Sequence, residues 1–166
     1  MLGTLLRRLY DCLYLVCGEG TWRLRPHESQ VILAVIDSLP VDKREMVQRQ
    51  LARSFFVVRM LRGRINTLHY YEGDASLAIS DADFANCLFK VRLELNGAGQ
   101  TAHVTFYEGR LFSVEFKKPG RFFARKQISI REVARGRPKD SYTRVIDRSE
   151  HGTTSARGER EDREMD

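Results

Sequence analysis

The chain has 166 residues, of which 42% are hydrophobic and 30% are charged, which predicts one domain large enough to bury a hydrophobic core. Its three cysteines are an odd number without disulfide or zinc spacing, so we expect a reducing, cytoplasmic compartment and neither a disulfide framework nor a structural metal. No apolar run approaches the ~18 residues of a membrane span, so we predict a protein without a transmembrane segment.

Positive charge is concentrated in the first 135 residues. The formal net charge is +6, and residues 1–135 carry 21 of the 28 basic residues but only 14 of the 22 acidic ones. Residues 136–166 are slightly acidic and poor in apolar side chains. We predict one domain over 1–135 and a disordered tail over 136–166, because the tail buries too little apolar surface to offset its ordering entropy.

Three helices are predicted in the first third of the chain. Apolar residues recur at steps of three and four over residues 2–17, the period of an amphipathic helix. Pro26 is suited to the first turn of a second helix. Asp42 and Glu45 have capping-box spacing, which predicts a third helix over about 43–54 that begins at an Asp42 cap.

The rest of the domain is predicted to contain strands. Residues 54–71 are rich in aromatic and β-branched side chains, and form either two short strands or a helix to Leu61 followed by one strand. Residues 127–133 are a candidate for a further strand. Helices followed by strands predict an α+β fold, in which N-terminal helices pack on an antiparallel β-meander.

The meander itself is predicted from alternation. Residues 87–96, 101–107 and 110–116 alternate apolar and polar side chains, and short glycine-containing turns separate them. This pattern is typical of antiparallel strands with one buried face. In the third strand, the alternation places Phe112 and Phe116 on that buried face.

Two groups of cations without a neighbouring acid form the candidate partner-binding surface. A basic surface is expected to bind an acidic protein, and the alternative is a nucleic acid whose phosphates use the same cations and whose bases stack on nearby rings. We predict that the phenylalanines of "FKKPGRFFARKQ" (116–127) are structural, which favours the protein partner. The candidate residues are Arg59, Arg62, Arg64, Lys117, Lys118, Arg121, Arg125 and Lys126.

No motif indicates catalysis. The chain lacks the GxSxG nucleophile pattern and a glycine-rich phosphate loop ending in GK[ST]. His69 and His103 are the plausible acid–base residues, and we predict that neither is catalytic. Asp81 in "SDADF" is predicted to cap a helix or turn. The predicted function is therefore a non-enzymatic, cytoplasmic regulatory binding protein without a cofactor, and a small enzyme of unrecognised class is the third hypothesis.

Overall fold

A computed structural model describes residues 11–71, 75–123 and 126–136. Two 3₁₀ turns, Ala75–Leu77 and Gly120–Phe123, accompany the helices and strands. The elements in chain order are α1 (residues 11–16), β1 (Gly20–Thr21), α2 (Pro26–Ser38), α3 (Val41–Leu51), β2 (Phe55–Met60), β3 (Ile65–Tyr70), α4 (Ala82–Ala85), β4 (Leu88–Leu95), β5 (Ala98–Tyr107), β6 (Arg110–Phe116) and β7 (Ser129–Gly136).

The seven strands form one antiparallel sheet in the order β1-β2-β3-β6-β5-β4-β7. Helix α2 lies against β4, β5 and β7, and α3 lies against β6. Their apolar side chains meet in one core, with Val35 and Val47 from the helices and Val91, Val104 and Val114 from the meander. The predicted α+β fold, with helices on an antiparallel meander, is confirmed.

Residues 54–71 form two strands, the first of the two predicted alternatives. Strands β2 and β3 pair along their whole length. The turn between them contains three consecutive residues with positive φ, namely Leu61 (51°), Arg62 (61°) and Gly63 (77°). This left-handed conformation costs a non-glycine side chain free energy, so the turn must be held by its surroundings.

The predicted Asp42 cap is wrong. Helix α3 begins at Val41 with Pro40 at the N-cap, and the Arg44 N–H donates to the Pro40 carbonyl at 2.8 Å. Asp42 is therefore already inside the first turn, where its exposed carboxylate lies 3.7 Å from Lys43 Nζ. The Asp81 prediction is confirmed, because its side chain accepts from the Asp83 N–H at 2.9 Å at the start of α4.

The predicted alternation of β6 is wrong at two neighbouring residues, Leu111 and Phe112. A β-bulge separates the pairs Thr105↔Ser113 and Phe106↔Leu111, so Phe112 has no partner on β5. The extra residue turns Leu111 into the core, where it is fully buried, and leaves Phe112 half-buried. A bulge inserts one residue into one strand, and a pattern of strict alternation cannot show it.

The two ends of the chain lie outside the residues that the structure describes. Residues 1–10 of the first predicted helix and residues 137–166 of the predicted tail are among those that the structure does not describe. The last described strand, β7, ends at Gly136, one residue beyond the predicted boundary. In the described ranges, no helix has both the length and the apolar character that a bilayer crossing requires.

Candidate functional site

A cavity of about 640 Å³ lies where four parts of the chain meet. These parts are residues 18–19 after α1, the start of α2, the end of β2 with the β2–β3 turn, and the Gly120–Phe123 turn with Lys126. Its wall also includes His27 and Phe123, and Glu19 is the one acid among its described residues. We call it the basic cavity, after the five cationic residues in its wall: Arg25, Arg59, Arg62, Arg121 and Lys126.

Arg59 is fixed in the wall by a buried ion pair with Glu28. The guanidinium Nε lies 2.9 Å from Glu28 Oε1, and Nη2 lies 2.7 Å from Oε2. Nη2 also donates to the Arg23 carbonyl at 3.0 Å. Arg59 is only 2% exposed and Glu28 is fully buried. The third nitrogen, Nη1, is buried and has no hydrogen-bond partner among the described residues.

Arg25 lies against the glycines of two turns. A Cβ atom on Gly120 would be 2.6 Å from Arg25 Nη1, and one on Gly63 would be 3.4 Å from it. The absence of side chains at these two positions therefore lets the guanidinium lie on the backbone. Arg25 is also the N-cap residue of α2, and its own N–H donates to Glu28 Oε2 at 2.7 Å.

The helix terminus adds to the positive field of the cavity. A guanidinium carries no acceptor, so the Arg25 side chain cannot satisfy the first N–H groups of α2. The N-terminus of a helix also has a partial positive charge from its aligned peptide dipoles. Pro26 and His27, the first two residues of α2, both line the cavity.

Backbone hydrogen bonds join the two turns. The Gly120 N–H donates to the Arg62 carbonyl at 2.9 Å, and the Phe116 N–H donates to the Arg64 carbonyl at 2.7 Å. The left-handed conformation of Arg62 is thus supported by its contact with the Gly120–Phe123 turn. These bonds hold Arg62 and Arg121 on one wall of the cavity.

His27 forms an aromatic part of the wall. Its ring centroid lies 5.0 Å from that of Phe123 in a stacked arrangement and 5.2 Å from that of Phe116. The imidazole is almost fully buried. Burial lowers the pKa of His27 below 6.5, and the neighbouring Arg25 and Arg59 lower it further, against an opposing effect of Glu28. His27 is therefore neutral at pH 7.

This pKa predicts a loss of stability in acid. The unfolded chain takes up a proton on His27 below about pH 6.5 while the folded chain resists it, so protonation favours unfolding as the pH falls. A His27→Gln variant should lose less unfolding free energy than the wild type between about pH 7.5 and 5, in urea titrations. Parallel pH profiles for the two proteins would show that His27 does not resist protonation.

The structure brings together half of the eight predicted partner-binding residues. Arg62, Arg121 and Lys126 are exposed and line the cavity, while Arg59 lines it from a buried position. The expectation that Arg59 belongs to a surface cluster without an acid is wrong, because Glu28 pairs with it. Arg64, Lys117 and Lys118 are exposed beside the cavity and are not part of its wall, and Arg125 lies outside the described residues.

Two of the three phenylalanine rings beside these cations are closed to stacking. Phe116 and Phe123 are buried in the core. Phe122 is half-buried, and its ring lies 4.3 Å from Lys126 Nζ and 5.9 Å from Lys118 Nζ, measured to the centroid. The prediction that the phenylalanines of residues 116–127 are structural is confirmed.

A second cavity, of about 540 Å³, lacks this concentration of charge. It lies beside β3 and the β5–β6 turn and is lined by His69, Tyr70 and other residues. Among the described residues of its wall, Arg110 is the one Lys or Arg, and Glu108 the one acid. Burial raises the pKa of the Tyr70 hydroxyl, so this group stays protonated. The basic cavity is therefore the candidate functional site.

Comparison with known proteins gives no match, since no family model, curated protein or solved structure matches the chain. The site must be interpreted from its own residues.

Two residues of the basic cavity, Arg25 and His27, were not predicted from the sequence. One signal for them was available: Pro26 marks a helix start, and Glu28 at the third helical position is typical of a residue that bonds back to the N-cap N–H.

Proposed function

We propose that this chain is a non-enzymatic, regulatory binding protein that engages an acidic protein partner through the basic cavity and the cations beside it. One observation carries this proposal: five cationic residues surround one cavity whose described wall contains a single acid. Within the described part of the chain, Arg25, Arg62, Arg121 and Lys126 form no ion pair with an acid. An acidic group from a partner would supply the missing negative charge.

The arrangement suits carboxylate or other oxyanion recognition. Arginine presents its N–H groups in a planar fork that matches two oxygens at once. Arg62, Arg121 and Lys126 are exposed at the mouth, where they attract an acidic partner and raise the association rate. Lys117 and Lys118 extend the positive surface beyond the cavity. The three unpaired cysteines support a reducing, cytoplasmic compartment for this binding.

Nucleic acid is the weaker candidate for the same cations. Binding of single strands commonly combines phosphate contacts with exposed aromatic rings on which bases stack. Here Phe116 and Phe123 are core residues, and Phe122 lies beside Lys118 and Lys126. The cations thus offer phosphate contacts, but the one partly accessible ring among these three, Phe122, is half-buried.

The test is native affinity purification with and without nuclease, followed by mass spectrometry. The wild type should retain a nuclease-resistant protein partner. A triple variant with alanine at Arg62, Arg121 and Lys126 should lose it, because these exposed cations supply the attraction. Exposed charges contribute little to folding, so the variant should melt within a few degrees of the wild type.

A matched control removes the same charge at the far edge of the sheet. Lys90, Arg92 and Arg131 lie on β4 and β7, and all three are exposed. Their triple alanine variant should keep the partner. Loss of the bound material on nuclease treatment would favour nucleic acid, and equal retention by both triple variants would contradict a role for the cavity.

A further inference from the structure

We propose that the basic cavity is a phosphoryl-binding site, which receives a phosphate monoester on a small molecule or on a side chain of the partner. This inference rests on the proposed function, because it names the group that the same cavity takes. The first observation concerns Arg59, whose Nε and Nη2 are bound by Glu28 while Nη1 has no partner among the described residues.

The unpaired Nη1 of Arg59 is a built-in donor. Glu28 holds Nε and Nη2 in a bidentate pair, so the guanidinium cannot rotate to use Nη1 elsewhere. A buried donor without a partner costs free energy, and more so when it is charged. Arg59 lines the cavity. Nη1 itself is buried, so a ligand oxygen reaches this nitrogen only when neighbouring side chains move. His27 Nε2, in the same wall, is also buried and unpartnered among the described residues.

The charge of the wall favours phosphoryl over carboxylate. Glu28 neutralises Arg59 in part, and Glu19 is the one acid in the described wall. The wall keeps an excess of positive charge from Arg25, Arg62, Arg121 and Lys126. A carboxylate brings one negative charge and two oxygens. A phosphate monoester brings about −1.5 to −2 charges and three strongly accepting oxygens. The second group therefore satisfies more of these donors and leaves less unbalanced positive charge.

The backbone around the cavity also fits a phosphoryl group. The Arg25 guanidinium lies on Gly63 and Gly120, where no Cβ blocks close approach. The first turn of α2 contributes the positive end of its dipole, which favours anions such as phosphate. Each feature alone is common in proteins. Here they accompany a buried, unpaired guanidinium nitrogen in the same wall.

The cavity is large enough to hold both the phosphoryl group and part of the molecule or side chain to which it is attached. The volume of about 640 Å³ is within the range of small-molecule sites, about 300–1,000 Å³. A phosphoryl group takes the space of only a few waters, at about 30 Å³ each.

The test compares four probes on the full chain at a matched ionic strength of about 150 mM. The probes are inorganic phosphate, acetate, a neutral peptide with one phosphoserine, and the same peptide with glutamate at that position. Thermal unfolding is measured with the two salts, and fluorescence anisotropy with the two labelled peptides. Unlabelled phosphate and free phosphoserine then compete with the bound phosphopeptide.

Phosphate should raise the melting temperature of the wild type more than that of the R62A/R121A variant, and this difference should exceed the one that acetate gives. The two proteins are compared because phosphate also stabilises folded proteins non-specifically, and binding at the cavity adds to that effect in the wild type. The phosphoserine peptide should bind about tenfold or more tightly than the glutamate peptide, as expected for added charge-assisted hydrogen bonds. The R62A/R121A double variant should weaken phosphopeptide binding by about tenfold or more. The K90A/R92A variant, which removes the same charge elsewhere, should bind as the wild type does.

The competition distinguishes the two sources of the phosphoryl group. A phosphopeptide that binds far more tightly than free phosphoserine supports a phosphorylated partner, and equal affinities support a small phosphate ester. An equal effect of phosphate on the melting temperatures of the wild type and the R62A/R121A variant, together with equal affinities of the two peptides, would overturn the phosphoryl proposal. That result would leave the acidic-partner proposal standing if the cavity triple variant still loses its protein partner.

Discussion

Replacing Glu28 by glutamine should destabilise the domain by about 3–5 kcal/mol, because it leaves the Arg59 charge buried and unpaired. Arg59 is only 2% exposed and takes both oxygens of this carboxylate. The amide also loses one acceptor that the Arg25 N–H uses. Urea denaturation followed by circular dichroism measures the change, which corresponds to a fall in melting temperature of about 10 °C or more.

Two further variants separate the buried pair from ordinary surface pairs. Glu132→Gln breaks the exposed contact of Glu132 with Arg92, at 3.2 Å, and should cost less than about 1 kcal/mol. Replacing Glu28 by leucine and Arg59 by methionine together should restore most of the stability, since an apolar pair of similar volume can substitute for a buried ion pair. Equal small losses for Glu28→Gln and Glu132→Gln would contradict a buried, paired Arg59.

A Val104→Asp change should unfold the domain. Val104 is fully buried in the centre of β5, where it pairs with Phe89 on β4 and Val114 on β6. An unpaired carboxylate at this position costs several kcal/mol, which is comparable with the whole stability of a typical domain, about 5–15 kcal/mol. Far-ultraviolet circular dichroism and the soluble yield should both show the loss of structure.

The matched control for Val104→Asp introduces aspartate at Arg92, on the solvent-exposed face of the sheet. The Arg92 side chain is 64% exposed on β4 and forms an ion pair with the exposed Glu132. Arg92→Asp should therefore change the unfolding free energy by no more than about 1 kcal/mol. If both aspartate variants were equally tolerated, Val104 would not be in the core of the sheet.

Local patterns predicted most of the fold. The meander could be predicted because a strand with one buried face alternates with a period of two, and β4 keeps that alternation from Phe89 to Leu95. Pro26 marked the start of α2 for an equally local reason. The two errors in the predicted elements have different causes. Asp42 has the composition of a cap but follows Pro40, which occupies the N-cap position itself, and the bulge at Phe112 leaves no trace in an alternating sequence.

The candidate site was predictable only in part, because it is built from distant segments. The cations of residues 59–64 and 117–126 were visible as runs without acids. The buried pair between Glu28 and Arg59 joins positions 31 residues apart, and neither local sequence contains a pattern that predicts it. The approach of Arg25 to Gly63 and Gly120 likewise depends on how α2 packs over the two turns. A sequence pattern shows which charges exist, and the packing decides which of them face one cavity.

The most direct measurement of the central claim is a nuclear magnetic resonance titration of the full chain with phosphate. The arginine side-chain Nε–H signals and the backbone amides report where an anion binds. We predict that the signals of Arg25, Arg59, Gly63 and Gly120 shift and saturate together, while those of Lys90 and Arg92 stay unchanged. Shifts spread evenly over the basic residues, or saturable shifts away from the basic cavity, would contradict the assignment of this cavity as the site of anion recognition.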